Sequence, residues 1–290
     1  MSDENIEADF TRYTISTIFF VGIGVLFYAI NIDLLSLVNK SVNSFHSTSS
    51  LVLSWRLICL TVGICAINYM LNCGPGNMRV QMLKNSKEEI YHPDGIEKFI
   101  TFSSWTLLVN VIYFASASLV QTLDYFDISS PHILSHIQVI AFCTGIAIAF
   151  LTATIVRHII LPDEAKLGRK VDHMFLFHEQ VMHNFAAIFL AIELIILRPK
   201  IIPEFAIFGL FLGIIYVVFA YLFAYFGGGY IAYIFIHPKP KIAPFLVIGL
   251  ASLIAIFYTG LWFISTLDQV LAGILLSAWV MLIVQFKPNK

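Results

Sequence analysis

Eight apolar runs of about twenty residues each constrain this chain more than any other feature of its sequence. About twenty residues is the length of helix that crosses the hydrocarbon of a bilayer. Within lipid the backbone must satisfy its own hydrogen bonds, which a helix does inside a single segment. The runs are too long and too continuous for the alternating strands of a membrane barrel. The pattern predicts helices over 14–34, 50–72, 98–120, 133–156, 177–197, 203–226, 242–264 and 268–286. Only residues 265–267 separate the last two, so they form either a tight hairpin or one broken element. Composition agrees, because only 12% of the 290 residues are charged, against about 25% in soluble domains. The expectation is an all-α, polytopic transmembrane bundle of about eight helices. A single helical domain over 14–286 then lies between an acidic tail, 1–13, and a short tail, 287–290.

Loop charges orient that bundle. Thirteen Lys and Arg residues fall in the loops on one side: Arg12, Arg79, Lys84, Lys87, Lys98, Arg157, Lys166, Arg169, Lys170, Lys239, Lys241, Lys287 and Lys290. The opposite side carries only Lys40, Arg198 and Lys200, with Arg56 inside a run. Cytoplasmic loops are the ones enriched in Lys and Arg, so both termini are expected in the cytoplasm. The acidic start MSDENIEADF lacks the basic opening of a secretory signal, and the first run reads as a retained span. A formal net charge of −1 without a dense basic cluster argues against a nucleic-acid partner. The long loops 73–97 and 157–176 read as solvated connectors. The run Gly227, Gly228, Gly229 is expected to break the sixth helix, leaving 230–236 at the interface or folded back over the bundle.

Metal chemistry finds no support in the spacing. Cys59, Cys65, Cys73 and Cys143 lie in or beside apolar runs without ligand spacing, and read as packing residues. His173, His178 and His183 follow one another at five-residue steps, which turns each about 140° from the last, so they do not share a helix face. No metal and no cofactor is expected.

His183 and Glu193 are ionisable groups inside one apolar run, and such groups face a bundle interior or a cavity. Ten residues of helix separate them by about 15 Å, so they belong to two sites. Arg56 and His136 enter their runs from the outer side to the depth of Glu193, and the three are expected to form a structural cluster holding helices in register. On the cytoplasmic side, Thr101 in KFITFSSWTLL matches the depth of His183. A hydroxyl beside an imidazole is the minimal arrangement for nucleophilic catalysis, with Ser103, Ser104 and Thr106 as competing hydroxyls. Plain hydrogen-bonded packing between helices accounts for the same pair. Glu179, four residues before His183, shares its helix face and is placed to orient the imidazole; an interfacial charge is the other reading. With helix N–H groups committed, the side chains of Asn184, Ser104 or Gln180 are the candidate oxyanion donors.

The stretches KFITF, MHNFAAIFLAIE and GIIYVVFAYLFAYFGGGYIAYIFIHP together resemble the androgen-induced-protein and rolling-stone group of multi-pass membrane proteins, over roughly residues 50–260. The androgen-induced branch implies hydrolysis of fatty acid esters of hydroxy fatty acids, with the threonine at Thr101 as nucleophile and the histidine at His183 as its partner. The partners so implied are membrane lipids and a lipid-ester substrate, in the endoplasmic reticulum or plasma membrane. Trp55-Arg56 and the glycine run are closer to the rolling-stone branch, associated with myoblast fusion. That branch implies a non-catalytic fusion or adhesion factor, or a subunit of a membrane complex. A transporter, the third class, requires a mid-bilayer cavity lined by both halves of the chain.

Overall fold

Residues 9–288 are described by the computed structural model. Its long helices are α1 (Thr11–Asn31), then, after a short α2 (Leu34–Val42), α3 (Ser50–Asn72), α4 (Phe102–Tyr125), α5 (His132–Lys166), α6 (Phe177–Leu197), α7 (Pro203–Gly228) and α8 (Ala243–Thr266). A shorter α9 (Gln269–Ile283) closes the chain. Seven of these are long and apolar enough to cross a membrane, and α9 has 15 residues. The end of α8 and the start of α9 form a hairpin, in which Asp268 caps α9 by accepting from the N–H groups of Val270 and Leu271 (3.1 and 3.0 Å).

Helix α5 is the hub, buried along most of its length against α4, α6, α7 and α8. Its sequence supplies the reason. Ala141, Gly145, Ala147, Ala149 and Ala153 are all buried, and small residues let helix backbones approach closely where lipid removes the hydrophobic drive to associate. At Gly145 an added Cβ would sit 3.2 Å from Leu190 of α6 and 3.4 Å from Val109 of α4. Helix α1, by contrast, is mostly exposed.

Four features depart from the sequence expectation. Helix α4 begins at Phe102 rather than 98, because Gly95–Ile100 form a 3-10 turn. Helices α5, α6 and α7 each contain a π turn, at Val156–Ile160, Val181–Phe185 and Ala224–Gly228. The all-helical expectation gains a small antiparallel sheet, in the order β2-β1-β3, from β1 (Met78–Met82), β2 (Glu88–Tyr91) and β3 (Tyr230–Ile231). Finally, the long loops are not free connectors. Arg79 of β1 ion-pairs with Asp163 and with Glu164 (3.1 Å), and Glu164 also meets Arg169 (3.5 Å).

The glycine run does end α7, and Gly229 takes φ +70°, a conformation glycine adopts without steric cost. The chain then folds back beneath the bundle. Gln81 pairs with Ile231, the Tyr221 hydroxyl donates to Ile236 O (2.8 Å), and Lys239 O accepts from Phe10 N (3.0 Å). At the other end of the sequence, Asn184 exchanges two hydrogen bonds with the backbone of Gln285 (2.7 and 3.0 Å). Both ends of the described chain therefore lie at the end of the bundle that carries the sheet.

Candidate functional site

The two intramembrane groups on α6 lie in different surroundings. At the end away from the sheet, Arg56 and Glu193 are fully buried, with Arg56 Nε donating to Glu193 Oε1 at 2.7 Å. The guanidinium also donates to Gln121 Oε1 (3.0 Å) and to the carbonyls of Phe45 (3.2 Å) and Ala117 (3.4 Å). The Tyr113 hydroxyl donates to the same carboxylate oxygen (2.7 Å). A buried charge needs this density of partners. His136 does not join them. It is half-buried and bonded to Asn39 Oδ1, because matching depth along a helix leaves rotation about its axis unspecified.

At the sheet end the helices, together with the sheet and loops, line a partly open cavity of about 1130 Å³ whose wall includes Thr101, Ser103, Ser104, Glu179 and His183. Thr101 caps α4, its Oγ1 accepting from Ser104 N (3.4 Å), and it sits 2.7 Å from Ser104 Oγ. Ser103 Oγ donates to Thr101 Oγ1 (3.3 Å), and Ser104 Oγ to Lys98 O (2.8 Å). Three hydroxyls thus gather at the first turn of α4. The helix shift that the sequence missed matters here, because a cap position leaves the N–H groups of that turn without acceptors in the helix. One of them, from Phe102, donates to the Tyr233 hydroxyl (3.1 Å).

His183 is nearly buried and belongs to the π turn of α6. Its Nδ1 lies 3.4 Å from Glu179 Oε2, without the alignment of a hydrogen bond. The other oxygen of Glu179 is 3.3 Å from Nε2 of the buried His178. No hydrogen bond joins Thr101 to His183 among the described residues; the two face one cavity from different helices. Two of the expected oxyanion donors lie elsewhere. Asn184 donates to Gln180 Oε1 (2.9 Å) and holds Gln285, and neither Asn184 nor Gln180 lines the cavity.

Sequence reasoning overlooked three contributors. Lys98 is buried and donates to the carbonyls of Met70 (2.6 Å) and Gly74, satisfying the end of α3; as one of several loop cations it carried no distinguishing signal. Tyr216 donates to Ile100 O (2.9 Å), fixing the turn before Thr101. His237, in the fold-back segment, also lines the cavity and is 1% exposed. Burial, and then the charge of Lys239, hold its imidazole below the ordinary histidine pKa. Among the described residues no group of three or more His, Cys, Asp or Glu side chains is placed to hold a metal ion. All four cysteines are free, Cys59 and Cys143 buried, Cys65 and Cys73 exposed.

The fold and site together define a helical protein with seven membrane-length helices and a partly open cavity at one end. Comparison with protein-family models, with curated proteins and with solved structures found no match.

Proposed function

We propose that this chain is a multi-pass integral membrane protein of the endoplasmic reticulum or plasma membrane, with both termini cytoplasmic, that hydrolyses lipid esters inside the membrane through Thr101 and His183. The observation that carries the reading is the cavity: a hydroxyl cluster and a carboxylate-backed imidazole both face one large space. The sequence resemblance to the androgen-induced branch suggests fatty acid esters of hydroxy fatty acids as the substrate class.

In this reading the Thr101 hydroxyl exchanges its bond to Ser104 for one to His183 Nε2 when an ester occupies the cavity. Oγ1 attacks the acyl carbon as His183 takes the proton, with Glu179 behind Nδ1 favouring the imidazolium. The tetrahedral oxyanion forms at the positive end of α4, where the Tyr233 hydroxyl, which lines the cavity and is held by the N–H of Phe102 (3.1 Å), is the donor at hand. Collapse expels the alcohol, which takes the proton from His183. Water, deprotonated by the same imidazole, then attacks the acyl-threonine and releases the fatty acid and the free hydroxyl.

A non-catalytic role of the rolling-stone type calls for a dry, packed threonine and histidine, which a cavity of this size does not favour. A transporter calls for a mid-bilayer cavity lined by both halves of the chain, and this lining does draw on both, from Ile18 and Val21 to Ala251 and Ile254. The hydrolase is preferred because the hydroxyl cluster and the imidazole share one end of that space while the buried Arg56–Glu193 network occupies the other end of the bundle. The test is incubation of purified protein with an alkyl fluorophosphonate. One covalent adduct is expected, lost in Thr101→Ala and strongly slowed in His183→Ala. Labelling that persists in Thr101→Ala removes the assigned nucleophile.

A further inference from the structure

The reactive cluster occupies only one part of the cavity. The same space continues into the bundle, where its wall is formed by Ile18 and Val21 of α1, Leu210 and Gly213 of α7, and Ala251 and Ile254 of α8. The six residues of this arm are all apolar. Val21 and Ile254 are the deepest residues that α1 and α8 contribute, each about 15 Å from the sheet end of its helix by rise per residue. Beyond them α7 and α8 close on one another. Ile254 is seated in a notch made by two glycines one turn apart, so that a Cβ at Gly209 would meet its Cγ2 at 2.8 Å and one at Gly213 its Cδ1 at 2.9 Å. Paired glycines at this spacing bring helix backbones together. Here they let one isoleucine form the end wall of the arm.

We propose that this arm binds one straight alkyl chain of the amphiphile whose polar end lies at Thr101 and His183, and that Gly213 and Ile254 set the length of chain accepted. Which end of the ligand reacts rests on the hydrolase reading; the length limit rests on the arm alone. A chain shorter than the arm leaves apolar wall uncovered. A longer one must bend back towards polar groups, losing contact it would have kept in lipid. The arm therefore selects by length and not by head group.

The test uses 1-O-alkylglycerol ethers, which have no ester to cleave, as an equimolar series from octyl to octadecyl. Occupancy of the detergent-purified full chain is read by native mass spectrometry. The wild-type profile is expected to peak at one length. Gly213→Leu moves the peak shorter by two or more carbons, and Ile254→Ala moves it longer. Ala251→Phe, which fills the arm without touching the glycine notch, also moves it shorter, and stands in where Gly213→Leu fails to fold. A flat profile, or the same peak in wild type and all folded variants, overturns the proposal. The ethers bind without chemistry, so failure of the fluorophosphonate test leaves this result standing. A flat profile beside a labelled Thr101 refutes the length limit alone.

Discussion

Arg56 shows what a single charge in lipid demands. It meets one carboxylate, one amide side chain and two carbonyls, and the carboxylate itself is held by Tyr113. Breaking such a pair by removing one partner costs about 3–5 kcal/mol, because the survivor is left buried and uncompensated. Glu193→Ala should therefore lower the yield of folded protein and its melting temperature, read by size exclusion and scanning fluorimetry. The double variant Arg56→Met with Glu193→Leu should lose less than Glu193→Ala. A Glu193→Ala protein as stable as wild type would sink the structural role. Counting residues into each run was enough to pair Arg56 with Glu193, since depth is one-dimensional. It misassigned His136 and overlooked Gln121 and Tyr113, since rotation about a helix is set by packing that one sequence does not display. His237 supports a second prediction at this scale. Its pKa is lowered in the folded chain by burial and by Lys239, while the unfolded chain takes up the proton near about 6.5. The stabilisation is present in full above that value and is lost as pH falls from it towards the folded pKa. Melting temperatures measured between about pH 5 and 8 should fall on the acid side, and His237→Gln should flatten that slope; an unchanged slope would assign the acid loss to other groups.

Elements place the site more than individual residues do. The start of α4 at Phe102 makes Thr101 a cap, which ties the candidate nucleophile to helix stability. Thr101→Ala should cost about 1 kcal/mol, the usual loss for an N-cap, and abolish fluorophosphonate labelling. Thr101→Ser should keep both the cap and the label. Stability lost without loss of label would leave Thr101 a purely structural residue. The start itself was misread because Phe99 and Ile100 extend the apolar run back into a 3-10 turn that hydropathy does not distinguish from helix. The sheet was illegible for a different reason. β1 and β2 are short and carry Arg79, Glu88 and Glu89, and the third strand comes from the far side of α7. The glycine run did signal the break, and the fold-back depends on it. An alanine at Gly229 must hold a left-handed backbone, at about 1–2 kcal/mol. Gly229→Ala should therefore speed proteolysis and amide exchange within 229–242 while leaving α5 protected. Equal exchange in both proteins would show that the segment does not depend on that conformation.

The whole molecule joins two regions with opposite requirements around α5: a dry charged knot at one end and an open cavity at the other. The sheet, the ion-paired loops and both ends of the described chain lie with the cavity, and the twelve described residues among the thirteen Lys and Arg that the charge count assigned to one side fall in those loops and tails or in the adjoining ends of α1 and α5. Membrane insertion retains Lys- and Arg-rich loops in the cytoplasm, so the cavity should open there. Native cysteines make this testable. Cys73 is exposed at the sheet end of α3, whereas Cys59 and Cys143 are buried, and Cys65, though exposed, lies within the membrane-length helix. A membrane-impermeant maleimide should thus leave the wild-type chain unlabelled in intact cells and modify Cys73 once the plasma membrane is opened. Thr48→Cys, in the exposed turn between α2 and α3 at the opposite end, should react from the far side in sealed cells or, for an internal membrane, only after detergent. The reverse pattern would invert the molecule and refute the charge-based orientation. Both positions reacting from one side would mean that α3 does not cross, and with it the assignment of cavity and charged knot to opposite faces of the membrane would fail.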